Sequence, residues 1–173
     1  MVCIRASGGS RLAPLTQAPH ASGRKEGVSR QDARTPRDSG FREPSAAVDA
    51  LASQVIDAAL HVHRELGPAF VESVYDNALC DELSLRHLPH QRQVVVPVRY
   101  KGLLVGEGRA DVLVDGLLVV ELKALPAVAP VHVAQVLSYL RAMGLELGLL
   151  VNFGERHLKA GCRRVVLSAP IPL

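Results

Sequence analysis

The chain has 173 residues, and 48% of them are hydrophobic, which suits one globular domain with a sizeable core. Only 3% are aromatic and none is Trp, so Leu, Val and Ala must fill that core. The net charge of +3 favours an anionic partner such as nucleic acid, but residues 1–45 hold eight of the 20 Lys and Arg residues and only four of the 17 Asp and Glu residues. The remainder has 12 basic and 13 acidic residues, so its bulk charge does not argue for such a partner.

The cysteine spacing and the hydropathy indicate the compartment in which the protein is found. Cys3, Cys80 and Cys162 lie far apart and form no Cys-x-x-Cys pair, which argues against a zinc site or a disulfide framework and fits a reducing compartment. The start of the chain lacks the apolar core of a signal peptide, and no apolar run approaches the length of a membrane span. We therefore expect a cytoplasmic protein with no membrane partner.

The first 45 residues differ from the rest in composition. They are rich in Arg, Ser, Gly, Pro and Ala, with no periodicity and few large apolar residues. Such a segment cannot bury enough surface to offset its ordering entropy. We expect residues 1–45 to be a disordered basic tail or an overextended gene start, and residues 46–173 to form the folded domain.

The remaining sequence predicts helices and strands in a defined order. A helical stripe follows the cap residue Ser45, ends at Gly67–Pro68, and consists of Val48, Leu51, Val55, Ala59 and Val62. A second helix is predicted at 70–86, then strands at 93–102, 104–114 and 117–124, a helix at 129–144, and strands at 145–153 and 162–168. The order α-α-β-β-β-α-β-β predicts an α/β fold in which helices flank a mixed sheet.

Charged residues end one of the most apolar strands. Glu121 and Lys123 follow "LLVV" and, being two residues apart, share one face of the strand. Because burying an unpaired charge costs several kcal/mol, these side chains must pair with each other, with a metal ion, or with both.

Asp111, on the preceding strand, joins this pair only if the hairpin has a particular register. A two-residue turn at 115–116 would set Asp111 opposite Val120 and facing away from Glu121. A three-residue connection at 115–117 sets Asp111 opposite Glu121 on the same face. If the acids form a site, the connection should therefore have an odd length or a bulge.

Two converging carboxylates suit Mg²⁺ or Mn²⁺, and a lysine beside such an ion can orient or deprotonate a water molecule. An Asp–Lys–Glu ion-pair cluster at the end of a sheet explains the same spacing without catalysis. Nearby helices add polar groups: Gln135 and Tyr139 are four residues apart on one helix face, and Glu72 precedes Tyr75 by about one turn.

An Asp, then Glu-x-Lys on the next strand, then Gln-x-x-x-Tyr on a helix resembles the PD-(D/E)XK nuclease superfamily in its RecB-like branch. The blocks "HRELGPAFVESVYDNAL", "VRYKG", "GRADVLV", "VVELKAL", "PVHVAQVLSYL" and "LGLLVNFG" resemble the GxxExxY protein family of that superfamily, in order, over residues 55–167. The resemblance implies a restriction-endonuclease-like core. Related iron–sulfur nucleases need a cysteine cluster that this sequence lacks.

The resemblance also implies roles for individual residues. It makes Asp111 and Glu121 the metal-binding and catalytic acids, Glu72 a supporting metal ligand, and Lys123 the catalytic lysine. Gln135 and Tyr139 match a helix motif that contacts substrate or orients the lysine.

Other positions match less decisively. His132 also matches a family position, where it either lines the site or caps its helix, and Tyr75 is a further candidate. Two departures stand out: Ala110 replaces the usual Pro before the Asp, and Ala69 replaces the first Gly of the family's name motif, where glycine can hold backbone angles that alanine cannot.

The leading hypothesis is a Mg²⁺-dependent or Mn²⁺-dependent nuclease that hydrolyses phosphodiester bonds in DNA. The first alternative is a non-catalytic nucleic-acid-binding or protein-interaction module on the same scaffold. A phosphodiesterase acting on nucleotides or RNA is a further alternative. Because one compact domain binds a duplex weakly, we also expect a homodimer or a helper protein.

Overall fold

The computed structural model describes residues 43–167. Nearly all of the predicted disordered tail lies outside these residues. The elements are α1 (Ala46–Leu66), α2 (Glu72–Leu85), β1 (His90–Tyr100), β2 (Leu103–Val114), β3 (Leu118–Lys123), α3 (Pro130–Met143), β4 (Leu147–Asn152), α4 (Leu158–Gly161) and β5 (Cys162–Val166). All predicted elements are present in the predicted order. The short helix α4 was not predicted, because four residues carry too little periodicity to indicate a helix.

The ends of α1 are set by the residues that the sequence indicates. The Ser45 hydroxyl accepts a hydrogen bond from the Val48 N–H at 3.5 Å, and Gly67 ends the helix with φ 69°. Helix α3 begins with Pro130 at its first position and ends at Gly144 in the left-handed conformation.

The five strands form one sheet in the order β1-β2-β3-β4-β5. β3 and β4 are parallel and are connected through α3, whereas the other neighbouring strands are antiparallel. The sheet is therefore mixed, as predicted, and the architecture is the restriction-endonuclease-like α/β fold.

Each face of the sheet has its own apolar core. The α1/α2 cluster packs both N-terminal helices on one face and includes Val55, Leu79, Val112, Val120 and Leu149. The α3 cluster covers the other face and includes Val96, Ala110, Val119, Val136 and Leu150. Along β3, Val119 and Val120 belong to different clusters, as alternation on a strand requires.

The β2–β3 hairpin has the three-residue connection that the candidate site requires. Val112 pairs with Val120 and Val114 with Leu118, which leaves residues 115–117 as the loop. Asp115 and Gly116 take positive φ values of 51° and 67°, and the Leu117 N–H donates to the Val114 carbonyl at 3.0 Å. The predicted loop length is confirmed, whereas the paired region ends at Val112 and Val120, before Asp111 and Glu121.

A membrane-spanning segment was not expected. Within residues 43–167, every helix is too short or too polar to cross a bilayer.

Candidate active site

The site is built around the backbone of Leu122, where β2 and β3 cease to pair. The Leu122 N–H donates to Oδ2 of Asp111 at 2.8 Å, and the Leu122 carbonyl accepts from Nζ of Lys123 at 2.7 Å. Nζ also donates to Oε1 of Glu121 at 2.8 Å. The three residues that the sequence singled out on this hairpin are therefore brought together within one short segment.

Glu121 is nearly inaccessible, with 1% of its surface exposed, yet it has only one hydrogen-bonding partner on its carboxylate. Oε2 is buried and lacks a hydrogen bond to any described residue. The pKa of Glu121 is raised to about 6, mainly by burial and also by the negative charges of Asp111 and Glu72, while the hydrogen bond and charge of Lys123 act in the opposite direction. An unpartnered buried carboxylate oxygen is unfavourable unless a cation or a water molecule contacts it.

Glu72 is the first residue of α2 and adds a third acid from the other side of the site. Burial raises the pKa of Glu72, the charges of Asp111 and Asp76 raise it as well, and Lys123 lowers it. A cleft of about 150 Å³ lies between these elements and is lined by Glu72, Ser73, Asp76, Gln93, Asp111 and Leu122. α2, β1, β2 and β3 each contribute at least one of these residues.

The donor chemistry of these acids suits a divalent cation, although the carboxylates are not assembled into a closed cage. Among residues 43–167, no group of three or more His, Cys, Asp or Glu side chains is arranged to hold a metal ion. The unpartnered Oε2 of Glu121 and the mutual repulsion among Glu72, Asp111 and Glu121 both fit a cation that neutralises them. The charges of these acids act on one another, and binding of a metal ion would require their carboxylates to move closer together.

Lys123 is held as an ammonium ion. Burial lowers the pKa of Lys123, but the hydrogen bond to Glu121 and the charges of Glu121, Glu72 and Asp111 outweigh this effect and raise it above the ordinary value. The side chain is therefore suited to hydrogen-bond donation and charge stabilisation rather than to accepting a proton.

Tyr139 contacts the hairpin from the α3 side, and Gln135 contacts Tyr139. Nε2 of Gln135 donates to the Tyr139 hydroxyl at 2.9 Å, and the Arg109 N–H donates to the same hydroxyl at 3.4 Å. The Tyr139 ring lies on Gly108, where a Cβ would come within 2.6 Å of the ring. These contacts bind α3 to the backbone of β2 two residues before Asp111.

Two further candidates have structural contacts. Nδ1 of His132 accepts a hydrogen bond from the Ala129 N–H at 3.1 Å. This contact caps the start of α3, which is the second of the two roles considered for His132. Tyr75 is fully buried against Phe153, with ring centroids 4.5 Å apart. Its hydroxyl donates to the Gly67 carbonyl at 2.6 Å and accepts the Phe70 N–H at 3.2 Å, which closes the loop between α1 and α2.

Ala69 lies in that loop and has a φ of 122°. Residues with a Cβ rarely adopt such an angle, whereas glycine does so readily. The backbone of this loop is therefore strained at Ala69.

The sequence did not predict the roles of two residues that shape the site. Asn152 is buried and brackets Leu125, accepting its N–H at 2.9 Å and donating to its carbonyl at 2.8 Å, which holds the segment that follows Lys123. Arg92 pairs with Asp76 and donates to Asn77 at 2.7 Å. At the end of an apolar strand, Asn152 is more typical of a turn than of a site, while Arg92 precedes the strand predicted at 93–102 and gave no signal.

The fold and these residues define a nuclease-like α/β domain with acids and a lysine at the end of its central hairpin. A family model described as the PD-(D/E)XK nuclease superfamily matches residues 49–165, and the chain belongs to that superfamily. Searches of curated proteins and of solved structures gave no significant match.

Proposed function

We propose that this chain is a metal-dependent nuclease that hydrolyses phosphodiester bonds in DNA. The observation that carries the proposal is that Asp111 and Lys123 both bind the backbone of Leu122, and Lys123 also binds Glu121, in a chain of this superfamily. Asp111 and Glu121 belong to adjacent strands, and an ion-pair cluster alone does not account for the buried, unpartnered Oε2 of Glu121.

Each residue then has a defined task. Glu72, Asp111 and Glu121 would hold Mg²⁺ or Mn²⁺, which supplies positive charge against the negative charge that develops on the phosphate. The Lys123 ammonium orients the attacking water by hydrogen bonding, and its charge also stabilises the transition state. Gln135 and Tyr139 fix the β2 backbone beside Asp111 and present polar atoms to substrate.

We further propose that the chain belongs to the GxxExxY family in the RecB-like branch. The blocks around Glu72, Asp111, Glu121 and Gln135 support this assignment in sequence order. The positive φ of Ala69 adds support, because the structure keeps a glycine-like backbone angle at the position where the family motif has glycine.

The test is cleavage of single-stranded and double-stranded DNA by the full chain with Mg²⁺ and then Mn²⁺. Wild type is compared with Glu121→Ala and Lys123→Ala, and with Glu107→Ala, which removes an exposed acid from β2. We expect metal-dependent cleavage that both site variants abolish and the control retains. Cleavage that survives both site substitutions would refute the proposal.

The alternative function is a non-catalytic binding module on the nuclease scaffold. The open arrangement of the acids favours it, as does the absence of net positive charge outside the first 45 residues. Thermal unfolding with and without Mn²⁺ distinguishes the nuclease from the non-catalytic binding module. Strong stabilisation by Mn²⁺ that Glu121→Ala removes supports the nuclease, whereas nucleic-acid or protein binding indifferent to metal supports the module.

We also propose a protein partner, either a second copy of the chain or a helper protein. The hairpin formed by β1 and β2 extends past β3 and exposes large apolar side chains, including Tyr100 at 63%, Leu103 at 71% and Val105 at 61%. Exposed apolar clusters of this kind mark interaction surfaces. Sedimentation that shows a monomer both free and with DNA would argue against the homodimer.

We propose a cytoplasmic location. Cys80 and Cys162 are free thiols, which suits a reducing compartment.

A further inference from the structure

Gln93 has an unusual backbone for a residue in the middle of a strand. Its φ is 49°, in the left-handed region, although it is not a glycine and β1 continues on both sides. Arg92 pairs with Val112 and Val94 pairs with Ala110, so Gln93 lies across from Asp111 where the ladder is interrupted. A residue with a Cβ is unfavourable in this region unless the surrounding structure requires it, and such residues concentrate at functional sites.

At this point the side chains of β1 and β2 change the face of the sheet on which they lie. Val112 packs in the α1/α2 cluster, whereas Ala110, two residues earlier, packs in the α3 cluster on the opposite face of the sheet. On β1, Arg92 contacts α2 while Val94 packs with the α3 cluster. Residues two apart on a regular strand share one face, so the strand faces invert at Gln93 and Asp111. The inversion leaves both side chains lining the cleft rather than either core.

We propose that Gln93 is a positioning residue for Asp111, a role that rests on the proposed nuclease function. Nε2 of Gln93 lies 3.4 Å from Oδ1 of Asp111, while Oδ2 accepts the Leu122 N–H at 2.8 Å. The two contacts engage both carboxylate oxygens, so they fix the rotation of the carboxylate as well as its location. The longer contact is of the kind that shortens when a site is loaded.

The choice of residue supports this assignment. Glycine or asparagine would satisfy the left-handed backbone at less cost, but glycine carries no amide and the asparagine side chain is one methylene shorter. Glutamine reaches Asp111 at the expense of backbone strain. A group that orients a metal-binding carboxylate commonly contributes a factor of about 10–100 in metal affinity or activity.

The experiment compares the full-length wild type with Gln93→Gly and Gln93→Met. Gly removes the amide and relieves the backbone, whereas Met keeps the side-chain length and the strain but cannot donate. Gln91→Ala, an exposed glutamine two residues earlier on β1, is the matched control. The readouts are Mn²⁺ affinity by calorimetry, DNA cleavage, and thermal unfolding in EDTA.

We expect both Gln93 variants to lose about 10–100-fold in Mn²⁺ affinity and in kcat, although Gly should raise the melting temperature and Met should leave it unchanged. If the two variants lose Mn²⁺ affinity and kcat equally but differ in melting temperature, the losses come from the positioning of Asp111 and not from a change in folding stability. Mn²⁺ affinity within twofold of wild type in both variants would overturn the role of Gln93 while leaving the nuclease intact. A wild type that neither binds Mn²⁺ nor cleaves DNA would overturn the proposed function, and the Gln93 role with it.

Discussion

Oδ2 of Asp111 accepts a hydrogen bond from the backbone N–H of Leu122 at 2.8 Å, so a candidate metal ligand on β2 also replaces a missing ladder contact to β3. The strands pair only as far as Val112 and Val120, and the carboxylate continues the connection beyond them. The acid thus has a structural task in addition to its proposed catalytic one.

This dual task predicts different outcomes for two substitutions at Asp111. Asp111→Asn keeps an oxygen that can accept the Leu122 N–H but removes the charge, so folding should be nearly unaffected while DNA cleavage falls by more than ~100-fold. Asp111→Ala also leaves the part-buried N–H without its partner, which should destabilise the protein by about 1–3 kcal/mol. Cleavage assays and urea unfolding measure the two effects. An active Asn variant would contradict the assignment of Asp111 as a metal ligand.

The pKa of Glu121 predicts a pH dependence of stability in the absence of metal. Because the pKa is raised from 4.5 to about 6 in the folded protein, the native state binds more protons than the unfolded state between these values. Stability should therefore fall as pH rises from about 4.5 to 6.5, by up to about 2 kcal/mol from this residue. Glu121→Gln cannot titrate, so subtracting its urea-unfolding profile in EDTA from that of wild type isolates the effect. A difference that is flat with pH would show that the buried carboxylate is not perturbed.

The strained φ of 122° at Ala69 predicts that Ala69→Gly stabilises the protein. Glycine relieves the strain but loses more conformational entropy on folding, which leaves a net gain of about 1 kcal/mol, or roughly 3–5 °C in Tm. Ala50→Gly, at an exposed position inside α1, has only the entropic penalty and should destabilise by about 1 kcal/mol. Calorimetric melting of both variants tests the opposite signs, and two decreases in Tm would count against strain at Ala69.

Two glycines on β2 provide a matched test of the contact between α3 and the hairpin. A Cβ at Gly108 would come within 2.6 Å of the Tyr139 ring, whereas a Cβ at Gly106 would have no atom within 4 Å. Gly108→Ala should displace the ring, destabilise the protein by about 1–3 kcal/mol and slow cleavage.

Gly106→Ala should be neutral in both assays. If the two variants behaved alike, the Tyr139 contact would not be fixing β2.

Much of the fold follows from local patterns in the sequence. The apolar stripe of α1 with Ser45 before it and Gly67 after it specifies that helix almost completely. The requirement that Asp111 and Glu121 share a face predicts a three-residue loop, and that loop is present although the strands stop pairing before these two residues. Such inferences succeed where burial and periodicity determine the answer.

The inversion at Gln93 could not be read in the same way. The sequence predicts that the strand begins at residue 93, whereas β1 begins at His90 and has a left-handed residue, Gln93, where the strand changes faces. The functions of Asn152 and Arg92 likewise depend on partners 15 or more residues away in sequence. Tertiary contacts of this kind leave no periodic signal.

The most direct test of the central claim is the single-turnover DNA cleavage rate of Lys123→Ala with Mg²⁺, measured beside its DNA affinity and beside Lys159→Ala, which removes an exposed lysine from α4. A lysine that orients water and stabilises the transition state should contribute a factor of about 10²–10⁴ to the rate. The account predicts a loss in that range for Lys123→Ala, with DNA affinity within a few-fold of wild type and a fully active Lys159→Ala. A cleavage rate for Lys123→Ala equal to that of Lys159→Ala would contradict it.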